Sequence, residues 1–181
     1  MKKEISLAKA NRLINSGALI MVTSCYKDKQ NIITLAWNSP LSHNPPLLGI
    51  SIAKTHLSSE LIKKSKEFVV NVPSLDLLDK IVFCGTHHGH DIDKFKEAKL
   101  TAVKANRLVN TPLIKECIGH LECLLRDVKE AGDHILFIGE VISASVEESL
   151  FNDTWLVDKV KLAFHLGGSD FTSSNELVRV K

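Results

Sequence analysis

The chain is poor in the residues that impose special architectures. It has four cysteines, five prolines, one tyrosine and two tryptophans in 181 residues. Cys25, Cys84, Cys117 and Cys123 are too few and too scattered for a disulfide framework. Reduced thiols and a cytoplasmic setting are the expectation. Long hydrophobic runs are missing too. Stretches such as Leu47 to Ala53 and Ile135 to Gly139 fall well short of the roughly 20 apolar residues of a membrane helix. The N-terminus reads Met-Lys-Lys-Glu and then turns amphipathic, without the apolar segment and small-residue cleavage site of a secretory signal. Charge of one sign is also lacking: 23 Lys and Arg against 21 Asp and Glu leave +2, which gives no electrostatic case for a nucleic-acid partner. No glycine-rich nucleotide loop of the G-x-G-x-x-G or G-x-x-x-x-G-K-[ST] kind occurs. Any nucleotide cofactor must be held by another device.

What remains is an ordinary globular composition, 44% hydrophobic and 24% charged, in a chain the size of one domain spanning residues 1–181. Residues 5 to 16 carry a weak helical pattern ending at Gly17. Leu19 to Cys25 and Asn31 to Trp37, apolar and β-prone around a polar turn, read as a hairpin. Asn38 to Pro46 holds three of the five prolines (Pro40, Pro45, Pro46) and is expected to be a loop. Leu47 to Ala53 is a buried strand. A helix follows, with Leu57, Leu61 and Ile62 on one face and lysines at its end. Phe68 to Val72 is a strand stopped by Pro73, and Leu75 to Phe83 is a helix. A loop rich in Gly and His covers 84 to 93, with a short helix after it. Beyond Pro112 there is no proline, and Cys117 to Val128 with His134 to Val146 read as a long central hairpin. Strands do not alternate with helices, so an antiparallel barrel with peripheral helices fits better than a doubly wound sheet.

Several clusters could carry chemistry. The junction Ser51-Ile52-Ala53-Lys54-Thr55-His56-Leu57-Ser58 sets hydroxyls and two potential cations where a helix begins, a place suited to a phosphate. Capping by Thr55 or Ser58 is the alternative. His87, His88, His90, Asp91 and Asp93 supply metal-ligand types, but nearly adjacent in a glycine loop rather than at the spacing metal sites use. A ligand-facing or solvated loop is the better reading, and no metal is expected. Glu116, Cys117, His120 and Cys123 form a second such group. On one strand Cys117 and Cys123 share a face that His120 does not, so buried core cysteines are the better reading there. Cys84, ending an apolar helix beside the histidine loop, is either core or half of a Cys–His pair. Trp37 either packs in the core or faces a planar ligand.

Taken in order, eight pieces resemble the flavin reductase-like family, closest to its flavoredoxin-like branch. They are Asn31-Ile-Ile-Thr-Leu-Ala-Trp37; Pro40 and Ser42 with Asn44-Pro-Pro-Leu47; His56-Leu-Ser-Ser-Glu-Leu-Ile62; Glu67-Phe-Val-Val-Asn-Val-Pro73; Gly89-His-Asp-Ile-Asp-Lys-Phe95; His120-Leu-Glu-Cys123; Gly132-Asp-His134 leading to Gly139-Glu-Val141; and His165-Leu-Gly-Gly168 with Phe171. The resemblance runs from about Ala18 to Phe171. It implies a mainly β fold with peripheral helices, the antiparallel split β-barrel of the FMN-binding type. It also implies FMN, or a flavin that visits as substrate, near the interface of a homodimer, in an oxidoreductase that passes hydride or electrons from NAD(P)H or a redox protein to an acceptor. A non-catalytic FMN-binding or sensing protein is the alternative. On this resemblance the flavin ring meets the segment with Thr34, Ala36, Trp37, Asn38 and Ser39. The phosphate falls at the junction with Lys54, Thr55, His56 and Ser58, the same site that helix-end chemistry reaches with Ser51 included. Asp93, Lys94 and His165 complete the cofactor set, and His134 is the candidate catalytic residue. His56 and His90 stand where relatives commonly have Arg, and His88 where they commonly have Ser. Imidazoles titrating near pH 6.5 in place of permanent cations make anion binding pH-sensitive.

Overall fold

The computed structural model describes residues 6, 10, 11, 13, 14 and 17–178. The helix expected over residues 5 to 16 falls largely outside them. The first hairpin is as expected: β1 (Ile20–Tyr26) pairs antiparallel with β2 (Lys29–Leu35), Tyr26 opposite Lys29 across a two-residue turn. Lys27 takes a positive φ of 55° in that turn.

The expected proline-rich loop is instead largely strand. β3 (Asn38–Ser42) pairs with β4 (Leu47–Ala53), and the register shifts between Pro40 and Ser42. The reason is position. β3 is the outermost strand of its sheet, where a missing N–H breaks no ladder on the open side. Pro45 and Pro46 lie in the turn that follows.

After β4 the chain enters α1 (Leu57–Ser65), which stops at Lys66 in the left-handed conformation, φ 62°. β5 (Glu67–Val72) leads through a 3-10 turn at Leu75–Leu77 into α2 (Leu78–Thr86), then α3 (Lys94–Glu97). The short pair β6 (Ala102–Val103) and β7 (Leu113–Ile114) brackets an irregular loop. The long hairpin is formed by β8 (Gly119–Ala131) and β9 (His134–Val146). Two small hairpins, β10 (Phe151–Asn152) with β11 (Thr154–Trp155) and β12 (Ala163–Gly167) with β13 (Asp170–Ser173), complete the elements.

One antiparallel sheet of seven strands, ordered β2-β1-β5-β8-β9-β4-β3, organises the molecule. It curls until β2 comes alongside β4. Alternation along the strands sends Ile20, Val22, Ile33, Ile50, Phe68 and Phe137 into the closed interior. Close packing here forbids a side chain at Gly139, whose Cβ would run into the Phe68 ring. The opposite face of β1 and β2 (Met21, Ile32), with Leu19 just before β1, packs on Ile81 and Cys84 of α2 and Phe95 of α3. This second apolar layer pins α2 and α3 to the outer side of the first hairpin.

The four cysteines are free and buried. Contrary to what their spacing suggested, Cys117 and Cys123 do not share a strand face. β8 begins only at Gly119, so Cys123 points into the barrel while Cys117 packs in the helical layer. No described helix is long and apolar enough to cross a membrane.

Candidate functional site

Where β2 runs out, the segment Thr34 to Trp37 crosses to β4, and the Ser51 amide donates to the Trp37 carbonyl at 3.0 Å. A cavity of about 280 Å³ opens at this crossing. Thr34, Ala36, Trp37, Ser51, His56, His134 and His165, all expected at a cofactor or reaction site, line it together. They come from four separate stretches of the chain.

Each is held from behind. The Thr34 hydroxyl donates to the Ile81 carbonyl of α2 at 2.7 Å. Gly85, also on the wall, lies so close to Thr34 that an added Cβ would sit 3.3 Å from the Thr34 Cβ. His134 opens β9 opposite Ala53 of β4, its Nδ1 2.7 Å from the Asp133 carboxylate. That hydrogen bond and the neighbouring imidazole hold Asp133 below the usual carboxylate range. The Trp37 and His134 rings are 4.8 Å apart. His165 stands on β12, with Nε2 3.0 Å from the Gly168 carbonyl and its ring 5.0 Å from that of Phe171. The Leu19 amide binds the Ala163 carbonyl at 2.8 Å, tying this hairpin to the start of β1.

His56 occupies the N-cap position of α1, and no side chain caps that helix. The sequence had offered Thr55 or Ser58 for this task. Thr55 is exposed in the preceding turn. The Ser59 hydroxyl donates back to the Ala53 carbonyl at 2.9 Å. His56 stacks toward His88, ring centroids 6.2 Å apart. Burial lowers its pKa, and the positive fields of Lys94, His88, His134 and His90 lower it further. This corner gathers basic side chains around a helix N-terminus, and an anion there relieves their mutual repulsion.

The remaining expected site residues lie elsewhere. Ser58 is fully buried, its hydroxyl oxygen accepting from Asn31 Nδ2 at 3.0 Å and Ser24 Oγ at 3.3 Å, so it does not reach the cavity. Lys54 is exposed and paired with Glu130 at 2.8 Å. Asn38 donates to the Ala18 carbonyl at 3.0 Å, and exposed Ser39 to the Pro40 carbonyl at 2.9 Å. Asp93 caps α3, accepting from the amides of Phe95 and Lys96. Lys94 is buried behind the wall. Its ammonium donates to the carbonyls of Ile32 at 2.8 Å and Cys84 at 2.6 Å, coupling β2 to the end of α2. Burial lowers the Lys94 pKa, against an opposing pull from Cys84.

The histidine loop is divided among several tasks. His87 closes α2, its Nδ1 3.0 Å from the Phe83 carbonyl and its ring 4.0 Å from that of Phe83. Gly89 fits against the Asn31 side-chain oxygen, which leaves no room for a Cβ. Among the described residues no cluster of His, Cys, Asp and Glu is placed to hold a metal ion. Burial pushes the Cys84 thiol up to about 11, so it is a neutral core group rather than a thiolate. Gly85 lines the cavity without having been expected there, and Gly168 lines it from the His165-Leu-Gly-Gly168 piece of the resemblance. The signal for Gly168 was present in the paired glycines 167 and 168, where φ is 128° and 63°.

Residues 12–166 match the flavin reductase like domain. A protein of Pyrococcus abyssi is 33% identical over 167 residues, covering 92% of this chain and 95% of its own. The flavoredoxin of Methanosarcina acetivorans superposes with a TM-score of 0.86 at 26% identity, over 99% of this chain and 95% of that one. The flavoredoxin of Desulfovibrio vulgaris (Miyazaki F) does so with a TM-score of 0.86 at 25% identity, over 99% and 97%. With the split barrel and the cavity at its crossing, these matches show that the chain belongs to the flavin reductase-like domain family.

Proposed function

We propose that the protein is an FMN-binding oxidoreductase that works as a homodimer in the cytoplasm, taking electrons from NAD(P)H or a redox protein. The observation that carries the reading is the cavity itself: a wall of small residues and one indole at Thr34 to Trp37, with a basic corner at the uncapped start of α1. A planar ring suits the first feature and a single phosphate the second. These residues therefore fit FMN better than the longer pyrophosphate and adenosine of FAD. When bound, FMN supplies hydride and single-electron chemistry.

The chain's own residues do the holding. Thr34 and Ala36 form the ring's floor, braced by the Thr34 bond to α2. Trp37 and His134 flank it, and Asp133 fixes the imidazole. His56, with His88 and His90 nearby, faces the phosphate. The half-exposed Trp37 on the cavity rim and the exposed Leu41 on the outer strand β3 are apolar surface that a second subunit would cover. Denaturing the purified protein and chromatographing the released flavin tests the cofactor, with mainly FAD as the contrary result. Stopped-flow mixing of the flavin-loaded protein with NADH, NADPH and reduced ferredoxin identifies the donor.

A further inference from the structure

The basic corner at the start of α1 has two halves from different parts of the chain. His56 stands at the head of α1, and His88 and His90 stand on the turn between α2 and α3, with the His88 ring centroid 6.2 Å from that of His56. That turn is fixed at both ends, by His87 against the Phe83 carbonyl and by Asp93, which caps α3. In between, the Asp91 amide donates to the His88 carbonyl at 3.2 Å.

One side chain touches both halves. Asn31 of β2 is 4% exposed. Its Nδ2 donates at 3.0 Å to the hydroxyl of Ser58, which lies in the first turn of α1, two residues after His56. Its carboxamide is also the surface on which Gly89 lies, between His88 and His90. A Cβ on Gly89 would fall 2.5 Å from Asn31 Cγ and 2.8 Å from Nδ2. Gly89 does not take a positive φ, so the glycine supplies room there and not an unusual backbone conformation. Asn31 Oδ1 has no hydrogen-bond partner among the described residues. Its burial is a cost that close seating of the turn accounts for.

We infer that Asn31 is a positioning residue for an anion site. By tying α1 through Ser58 and seating the turn through Gly89, it sets how far His88 and His90 stand from His56, and with that the grip on a phosphate. The imidazoles cannot set that spacing themselves, because the positive fields of His88 and His90 oppose that of His56. As the FMN phosphate site this rests on the flavin reading; as an anion site shaped by Asn31 it does not.

Gly89→Ala drives a methyl group into the carboxamide. The expected result is an FMN affinity lowered roughly tenfold, the scale of one hydrogen bond to a charged group, with riboflavin affinity held within about twofold. Combining it with Asn31→Ala makes room for that methyl group. The double variant should therefore bind FMN at least about threefold more tightly than Gly89→Ala alone, where independent structural damage would only add. Gly89 is half-buried in a surface turn, so the single variant keeps the test clear of folding. The wild-type protein and both variants, free of flavin, are also titrated with inorganic phosphate and followed by the imidazole NMR signals of His56 and His88. Phosphate should move both signals in the wild type, more weakly in Gly89→Ala, and again in the double variant. Additive losses, equal loss of FMN and riboflavin, or phosphate shifts indifferent to Gly89→Ala would each overturn the inference. Phosphate shifts that behave as expected in a protein that binds no FMN would count against the flavin reading alone.

Discussion

The indole of Trp37 and the imidazole of His134, 97 positions apart in sequence, face each other at 4.8 Å with their planes inclined by 39°. Trp37 arrives on the segment after β2. His134 arrives on β9, and β4 holds the two in register through Ser51 and Ala53. The pair forms one side of the proposed flavin cleft. Trp37→Ala should weaken FMN and riboflavin equally, by roughly three- to tenfold, since an aromatic contact is worth about 0.5–1.5 kcal/mol. Fluorescence titration of both ligands checks this. A loss confined to FMN would place the indole at the phosphate instead.

His56 should behave in the opposite way. A hydrogen bond to a charged group is worth about 1.5–3 kcal/mol, so His56→Ala should cost FMN roughly tenfold or more and riboflavin little. Without ligand, the lowered pKa of His56 means that its contribution to folding is complete above the unfolded value near 6.5. That contribution declines as pH falls from there through the folded value, because the unfolded chain binds the proton more readily. A bound phosphate reverses the preference by stabilising the imidazolium. FMN affinity should therefore rise between pH 8 and pH 6.5 while riboflavin affinity stays level. Parallel titrations at several pH values test the point, and identical profiles for the two ligands would remove the phosphate from His56.

Ser58 sits in the phosphate motif by sequence but in the interior by structure, accepting hydrogen bonds from Asn31 and Ser24. Ser58→Ala leaves those donors short of a buried partner, at a cost of about 1–3 kcal/mol. Thermal unfolding should show the loss, with FMN and riboflavin affinities moving together. A selective loss of FMN affinity would return Ser58 to the phosphate site.

Two buried carboxylates anchor the irregular loop between β6 and β7. Glu122 accepts from the amides of Asn106, Arg107 and Leu108, and Glu67 from those of Asn110 and Thr111, with Val109 at 3.5 Å. Burial alone would raise the Glu122 pKa, but the three amides draw it below its ordinary value. The stability it contributes is present above the unfolded pKa near 4.3 and is lost as pH falls through the folded one. Glu122→Gln should lower stability at pH 7 by about 1–3 kcal/mol and flatten the acid limb of the stability curve. Urea unfolding at pH 7 and pH 3.5 measures both effects. An unchanged acid limb would mean that another carboxylate carries it.

Alternation and turn chemistry along the chain determined most of the strands, the central hairpin and the helices after β4 and β5, because those patterns report local burial. The ordered family motifs pointed to a flavin and to six of the residues that line the cavity, and the junction before α1 added Ser51. Sequence could not tell which motif residues reach the cavity and which brace it. Ser58 sits in the same motif as the wall residue His56, and Lys94 in another piece of the resemblance, yet their side chains turn inward, Lys94 to the carbonyls of Ile32 and Cys84 and Ser58 to the side chains of Asn31 and Ser24. That choice depends on where β2, α1 and α2 meet in space, which no local pattern encodes. For the same reason Pro40 looked like a loop former until the sheet order put β3 at the edge, where a residue without an N–H can be a strand. Closure of the sheet, bringing β2 alongside β4, and docking of the β12–β13 hairpin on the start of β1 decided that Thr34, Trp37, His56, His134 and His165 would face one cavity.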